Sequence, residues 1–209
     1  MAEHHHFHKC KHEGKAYDNP DNVKRAQQFA EDVKSWVNLT KETVLLDFGS
    51  GTGHVGITLA NDVKNIIFED VSEEMLKQVN ANCAEKNITN YTTFLGTMEE
   101  YKGEKVDLIT AGMVLHHVDD LNSLFKSFLN NMKPHAHLCI VDFCTDAAFF
   151  SRLPVPLPHL GFVPEELGNQ LISLGFVKYE VKPAVPYSHV QEDGSNELYN
   201  RFSLIAEAP

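Results

Sequence analysis

The residues with the clearest chemical potential lie in one stretch, Asp47-Phe48-Gly49-Ser50-Gly51-Thr52-Gly53-His54-Val55-Gly56. Taken from Gly51, Gly53 and Gly56 it is G-x-G-x-x-G, a dinucleotide loop, and Asp70 follows at close to the distance of about 20 residues expected of a ribose-binding acid. Taken from Gly49, Gly51 and Gly53 it is D-x-G-x-G-x-G. Electrostatics separates the two. Asp47 stands beneath the loop, where a carboxylate would repel a pyrophosphate and stabilise a cationic ligand end. A second group is His116, His117 and His159, whose side chains are suited to move a proton near neutral pH. A third is the tract His4, His5, His6, His8 and His12 with Cys10, which carries zinc, nickel or copper ligand types but no fixed spacing or scaffold. No resident metal is expected there.

These groups need elements to hold them. Val23, Ala26, Ala30, Val33 and Val37 have helical spacing, with Asp21 or Asn22 as the expected cap. The apolar run Val44–Phe48 then reads as a strand, followed by the glycine loop and a helix over 54–61. The alternation continues with strand 65–69 and helix 72–86, then strand 91–95 with a short helix near 98–101. Strand 106–110 and helix 120–132 follow, then strand 137–142, helix 164–174 and strands 176–181 and 202–206. Strands this apolar on both faces, each followed by a helix, imply a Rossmann-like doubly wound α/β domain. Its seven-stranded sheet is expected to be mostly parallel, with helices on both faces. The stretch between the last two strands carries Pro183, Pro186 and a polar turn over 191–196, too little for a packed crossover. Those two strands are therefore expected to pair antiparallel at one edge. One domain spanning 1–209 is expected, with a His-rich tract or lid over 1–21 and a substrate-capping segment over 143–165.

With those motifs in place, the chain resembles the class I S-adenosylmethionine-dependent methyltransferases of the small-molecule type, over nearly its whole length. Val44-Leu45-Leu46-Asp47-Phe48-Gly49-Ser50-Gly51-Thr52-Gly53 resembles the family's first motif, and Asp70-Val71-Ser72-Glu73-Glu74-Met75-Leu76 its second. The resemblance implies that S-adenosyl-L-methionine lies across the ends of the strands. It implies further that Asp70 takes the ribose hydroxyls, with Glu69 a second acid one position earlier. Val71 and Met75 would lie beside the adenine, and Asp47, Gly49, Ser50, Gly51 and Gly53 would line the loop. Leu95-Gly96-Thr97-Met98-Glu99-Glu100 corresponds to the family's adenine-reading loop, with Thr97 where the family often has Asp. Ala111 and Met113 belong to the segment after the fourth strand. Tyr17 and Asp18 match a Y-D pair whose ring closes over the cofactor. The turn Lys133-Pro134-His135-Ala136 corresponds to the family's K-P-G-G but lacks both glycines.

Transfer from a sulfonium requires the acceptor to be held about 3 Å from the methyl carbon in a dry site, so a base is optional. His116, His117 and His159, the last in a segment resembling H-x-G-F, are the candidates where one is used. His54 is expected to cap its helix. Phe143, Cys144, Phe149 and Phe150, with the Pro-rich run over 153–158, suggest a small, partly apolar acceptor. Thr110-Ala111-Gly112-Met113 is not the N-P-P-Y type of enzymes that methylate adenine or glutamine amides. The net charge of −11 disfavours nucleic acid and anionic membranes. No run approaches the roughly 18 apolar residues of a spanning helix, so a soluble, cytoplasmic protein is expected. Two other readings stay open: a protein methyltransferase, and a methyltransferase-fold binding or regulatory protein without transfer.

Overall fold

The computed structural model describes residues 14–145, 157–190 and 196–209. Its centre is β1 (Val44–Phe48), buried along its whole length. Flanking it in a parallel ladder are β2 (Asn65–Asp70) and β4 (Val106–Gly112). β3 (Tyr91–Leu95) lies outside β2, and β5 (Met132–Phe143) outside β4. The seven strands run in the order β3-β2-β1-β4-β5-β7-β6. The chain leaves β1 toward β2 and returns on the other side as β4, so the ends of β1 and β4 open a switch-point crevice where such sheets bind ligands.

The last two strands, β6 (Lys178–Val190) and β7 (Asn196–Glu207), pair antiparallel, as the short connection between them requires. β7 sits inside the pair, antiparallel to both β5 and β6, which leaves β6 on the edge. Both strands are longer than their apolar runs. Pro183 falls in an irregularity between Lys182 and Val185, and Pro186 is tolerated because an edge strand has one side free of ladder bonds.

Helices cover both faces. β1 sends Leu46 and Phe48 toward α5 (Leu121–Asn131) and α6 (Pro164–Leu174), where Phe48 meets Phe128 edge to face at 5.0 Å. Leu45 goes to the opposite layer, built with α2 (Pro20–Trp36), α3 (His54–Leu59) and α4 (Glu73–Glu85). Two local expectations change. Asn19, not Asp21 or Asn22, caps α2: its side chain accepts from Asn22 N at 2.9 Å and Pro20 takes the first helical position. The stretch near Met98 is a turn rather than a helix, closed by Glu100 N to Thr97 O and by Thr97 N to the Glu100 carboxylate. Cys83, Cys139 and Cys144 are free thiols. Among the described residues no helix is long and apolar enough to cross a membrane.

Candidate active site

The chain leaves β1 through three glycines with left-handed backbone, Gly49 (φ 57°), Gly51 (φ 53°) and Gly53 (φ 86°). At Gly49 a Cβ would lie only 2.2 Å from a Val114 methyl, so the bare backbone of the loop packs against the Val114 side chain just beyond β4. Gly56 is different: it lies inside α3, where a Cβ would fall 2.5 Å from the Phe68 ring, and so it packs the helix on the sheet. The turning glycines are therefore those of the D-x-G-x-G-x-G register.

Three carboxylates support this loop from below. Asp47 is 2% exposed; its oxygens accept from the Thr110 hydroxyl at 2.7 Å and Gly56 N at 3.0 Å. Burial pushes its carboxyl up to about 7 against the pull of those two bonds, and Asp70 nearby adds to the rise. Glu69 is sealed in, accepting from Gly49 N at 2.9 Å through one oxygen, while its Oε1 has no partner among the described residues. Burial holds it well above the usual carboxylate range. Asp70 stands half-buried at the end of β2 and accepts from Gly51 N at 2.9 Å and Ser72 N at 2.8 Å. Burial raises it too, opposed by those N–H groups. The Ser50 hydroxyl is also buried with no partner among the described residues.

A short helix, α1 (Gly14–Tyr17), lies against this loop. Tyr17 brings its ring to 3.6 Å from where a Cβ on Gly51 would be. Asp18 fixes the segment: it meets His54 Nε2 at 3.0 Å and accepts from Asn82 Nδ2 at 2.9 Å, and the same Asn82 nitrogen donates to Thr52 O at 3.0 Å. His54 thus does not cap α3; Gly53 occupies the cap position and His54 reaches back to the N-terminal segment.

The other residues expected to hold cofactor divide. Val71 and Met75 lie at the start of α4, where Met75 N donates to Ser72 Oγ. Thr97 is in the turn after β3 and Glu99 is exposed there, whereas the Met98 and Ala111 side chains are buried in the core. Met113 leaves β4 with φ 57°, a left-handed conformation uncommon for a residue with a side chain, and donates its N–H to Val141 O.

All three candidate histidines meet beyond β4. A 3₁₀ turn, Leu115–His117, buries His116, whose Nδ1 is 2.7 Å from Asp142 at the end of β5. The His117 ring is 4.2 Å away. His159 N donates to His116 O at 3.4 Å, and His159 Nε2 donates to Val118 O at 2.9 Å. A cavity of about 390 Å³ adjoins His159 and is lined also by Asp119, Asp120, Phe162, Glu166 and Gln170. Asp142 was not legible as a site residue, although it ends an apolar strand just as Asp47 and Asp70 do. His4, His5, His6, His8, Cys10 and His12 lie outside the described residues, as do Phe149, Phe150 and residues 153–156. Among the described residues no group of three or more His, Cys, Asp or Glu is placed to hold a metal.

A glycine loop at the switch point, with acids ending β1 and β2, defines the fold of the class I S-adenosylmethionine-dependent methyltransferases. The chain belongs to the methyltransferase-domain family, which matches residues 39–169 and whose cofactor is S-adenosylmethionine. In fold it is similar to a SAM-dependent methyltransferase from Aquifex aeolicus, with a TM-score of 0.71 and 18% identity over 94% of this chain and 97% of that one. It is similar also to the YcgJ protein from Bacillus subtilis, with a TM-score of 0.72 and 15% identity over 87% and 98%. An uncharacterized methyltransferase of Schizosaccharomyces pombe is 27% identical over 143 residues, 60% of this chain and 50% of that protein. An uncharacterized RNA methyltransferase of Enterococcus faecalis is 33% identical over 79 residues, 38% of this chain and 17% of that protein. The chain spans half or less of the length of the curated relatives it matches.

Proposed function

We propose that this protein transfers a methyl group from S-adenosylmethionine to a small-molecule acceptor. The observation that carries the reading is the left-handed glycine loop between β1 and α3, with Asp70 at its rim and, within it, a buried Ser50 hydroxyl that has no partner among the described residues. That combination fits an adenosyl amino acid: a floor without side chains, a hydroxyl for the polar tail, and a carboxylate able to accept from both ribose hydroxyls. Gly49, Ser50, Gly51 and Gly53 would hold the amino-acid end, Asp70 the ribose, and Val71, Met75, Thr97 and Glu99 the adenine side, with Met98 packed beneath them in the core. Met113 would border the sulfur, with Ala111 in the core behind it, Tyr17 would close over the loop, and Asp47 would set the charge beneath it. When bound, the cofactor would supply an electrophilic methyl on a positive sulfur. The chain's task is to place the acceptor and exclude water.

A second reading, RNA as acceptor, rests on the short match to the RNA methyltransferase of Enterococcus faecalis. The net charge of −11 weighs against it. Calorimetry with S-adenosylmethionine and NADH tests the first step, and tighter binding of NADH would overturn the reading. Asp70→Asn should weaken the cofactor by about 1 to 3 kcal/mol, the worth of a charged hydrogen bond. Radiolabelled transfer into lysate fractions separated by size, with and without ribonuclease, tests the acceptor. Label confined to macromolecules would remove the small-molecule assignment, and its loss to ribonuclease would establish RNA.

A further inference from the structure

We propose that the cavity between the starts of α5 and α6 is the seat of the methyl acceptor, and that it takes a small organic cation, an ammonium or guanidinium group on an apolar body. The acceptor role rests on the methyl-transfer reading, whereas the preference for a cation rests on the cavity alone.

The cavity, about 390 Å³, falls within the range of about 300–1,000 Å³ usual for small-molecule sites. Its walls are the first turns of two helices and the loop over 159–163, and each is fastened. Gln170 Nε2 donates to Asn122 Oδ1 at 3.0 Å, which ties α6 to α5 between two residues that both line the cavity. Phe162 N donates to Phe143 O at 2.9 Å, and a Cβ on Gly161 would fall 2.4 Å from Cys144 O, so the loop lies close against the end of β5. His159 joins it to the turn after β4, through its N–H on His116 O and Nε2 on Val118 O. That turn is all that separates the cavity from the glycine loop: Val114, at its start, packs against Gly49, and Val118, at its end, is held by His159. The cavity thus lies beyond the ends of β4 and β5, on the side of the sheet where ligands of such folds bind.

Its charges have one sign. Asp119, Asp120 and Glu166 line the cavity, and among the described residues no Lys or Arg does so. Asp120 has a local task, capping α5 by accepting from Ser123 N at 3.0 Å and Ser123 Oγ at 2.8 Å. Asp119 and Glu166 have no hydrogen-bond or ion-pair partner among the described residues. The N-termini of α5 and α6 favour acids but carry only about half a positive charge each, too little to neutralise three carboxylates. His159 adds a further acceptor. With Nε2–H spent on Val118 O, its lone pair is on Nδ1, which has no partner among the described residues. The Phe162 ring, 5.3 Å from that of His159, gives the cavity an aromatic wall. Bare carboxylates, a lone-pair nitrogen and an aromatic face together favour a positive N–H donor and repel an anion. A protonated nitrogen has no lone pair, so the cationic group anchors the molecule and another of its atoms receives the methyl.

The test uses the full chain labelled with nitrogen-15, phenethylammonium as the cation, and 3-phenylpropionate as an anion of similar size. In amide NMR, phenethylammonium should saturably shift residues 119–122, 159–162 and 166–170. It should bind about tenfold or more tighter than the anion, with an affinity that falls as salt rises. Asp119→Asn combined with Glu166→Gln, at two exposed positions, should weaken the cation about fivefold. S-adenosylmethionine binding to that variant, by calorimetry, should stay as in the wild type. Radiolabelled transfer into the small-molecule fraction of a lysate, split on a cation exchanger, should put the label in the retained pool. An anion bound as tightly as the cation, shifts confined to other residues, unchanged cation affinity in the double variant, or label only in the unretained pool would overturn the proposal. Failure of the wild type to bind S-adenosylmethionine would instead overturn the methyl-transfer reading and the acceptor role with it, while the cation site would stand on the NMR result.

Discussion

The Asp18 carboxylate lies 3.0 Å from His54 Nε2, joining the segment before α2 to the first residue of the helix that follows the glycine loop. Its other oxygen accepts from Asn82 on α4, so one side chain ties the α1 segment to two helices of the cofactor side. Asp18→Ala removes both contacts and leaves α1 held by Asn22 Nδ2 on Tyr17 O and by the packing of Gly14 against Gln78. With Tyr17 less firmly placed over Gly51, cofactor binding should weaken about fivefold, or about 1 kcal/mol, the worth of an ordinary hydrogen bond. Calorimetry measures this, and trypsin should cut faster after Lys15. Unchanged affinity and unchanged cleavage would show that Asp18 does not secure the segment.

Gly49→Ala should be far costlier than an exposed loop change. The left-handed φ of 57° costs an L-residue about 1–2 kcal/mol, and the clash with Val114 adds about 1–3 kcal/mol of overpacking. Denaturant unfolding should show a loss in that combined range. Val114→Ala in the same chain should recover only some of the packing part, since its Cβ stays 3.0 Å from the added methyl, and leave the backbone part. Full recovery would mean that the backbone conformation is not a constraint.

How far the sequence discloses the molecule depends on the range of the interaction. β1 and α6 have the bounds read from their residues because a continuous apolar run, or a proline opening an amphipathic run, is a local signal, and β3 does so through its β-branched and aromatic residues. β6 is longer than its reading because the edge of a sheet tolerates Pro183 and Pro186, and nothing in those residues says where the edge lies. The start of β5 is hidden the same way by Lys133-Pro134-His135. At the site, the loop glycines announce themselves because turning the chain there needs them. Asp142 does not, since its partner His116 is 26 residues away on another strand end and only the register of β4 and β5 brings them together.

Stability of the free protein should fall as pH rises through neutrality. A carboxyl whose pKa is higher folded than unfolded stabilises the fold while protonated. That contribution is complete below the ordinary carboxylate range of about 4. For Asp47 it is lost as pH rises through about 7, and Glu69 and Asp70 are shifted in the same direction. Scanning calorimetry should give a lower Tm at pH 7.5 than at pH 5, with a smaller difference in Asp47→Asn. A cationic ligand favours the ionised acids, so cofactor binding at pH 7 should release protons, seen as a heat that varies with the buffer's ionisation enthalpy. A Tm that rises over this range, or a buffer-independent heat, would contradict the assignment.

His135→Gly should stabilise the protein. His135 holds φ 61° in the turn where the resembled family carries glycine, and that conformation costs an L-residue about 1–2 kcal/mol. Glycine removes the strain but adds about 0.5–1 kcal/mol of backbone entropy to be lost on folding, leaving a net gain of about 0.5–1 kcal/mol. The imidazole's contact with Glu207, 3.1 Å long at an exposed site, contributes little, and Glu207 keeps Lys178 at 2.7 Å. His135→Ala separates the two effects, since it loses the same contact while keeping the strained backbone. Urea unfolding should therefore place His135→Gly above wild type and His135→Ala at or below it. The reverse order would mean that the contact with Glu207, not the backbone, decides the stability of this turn.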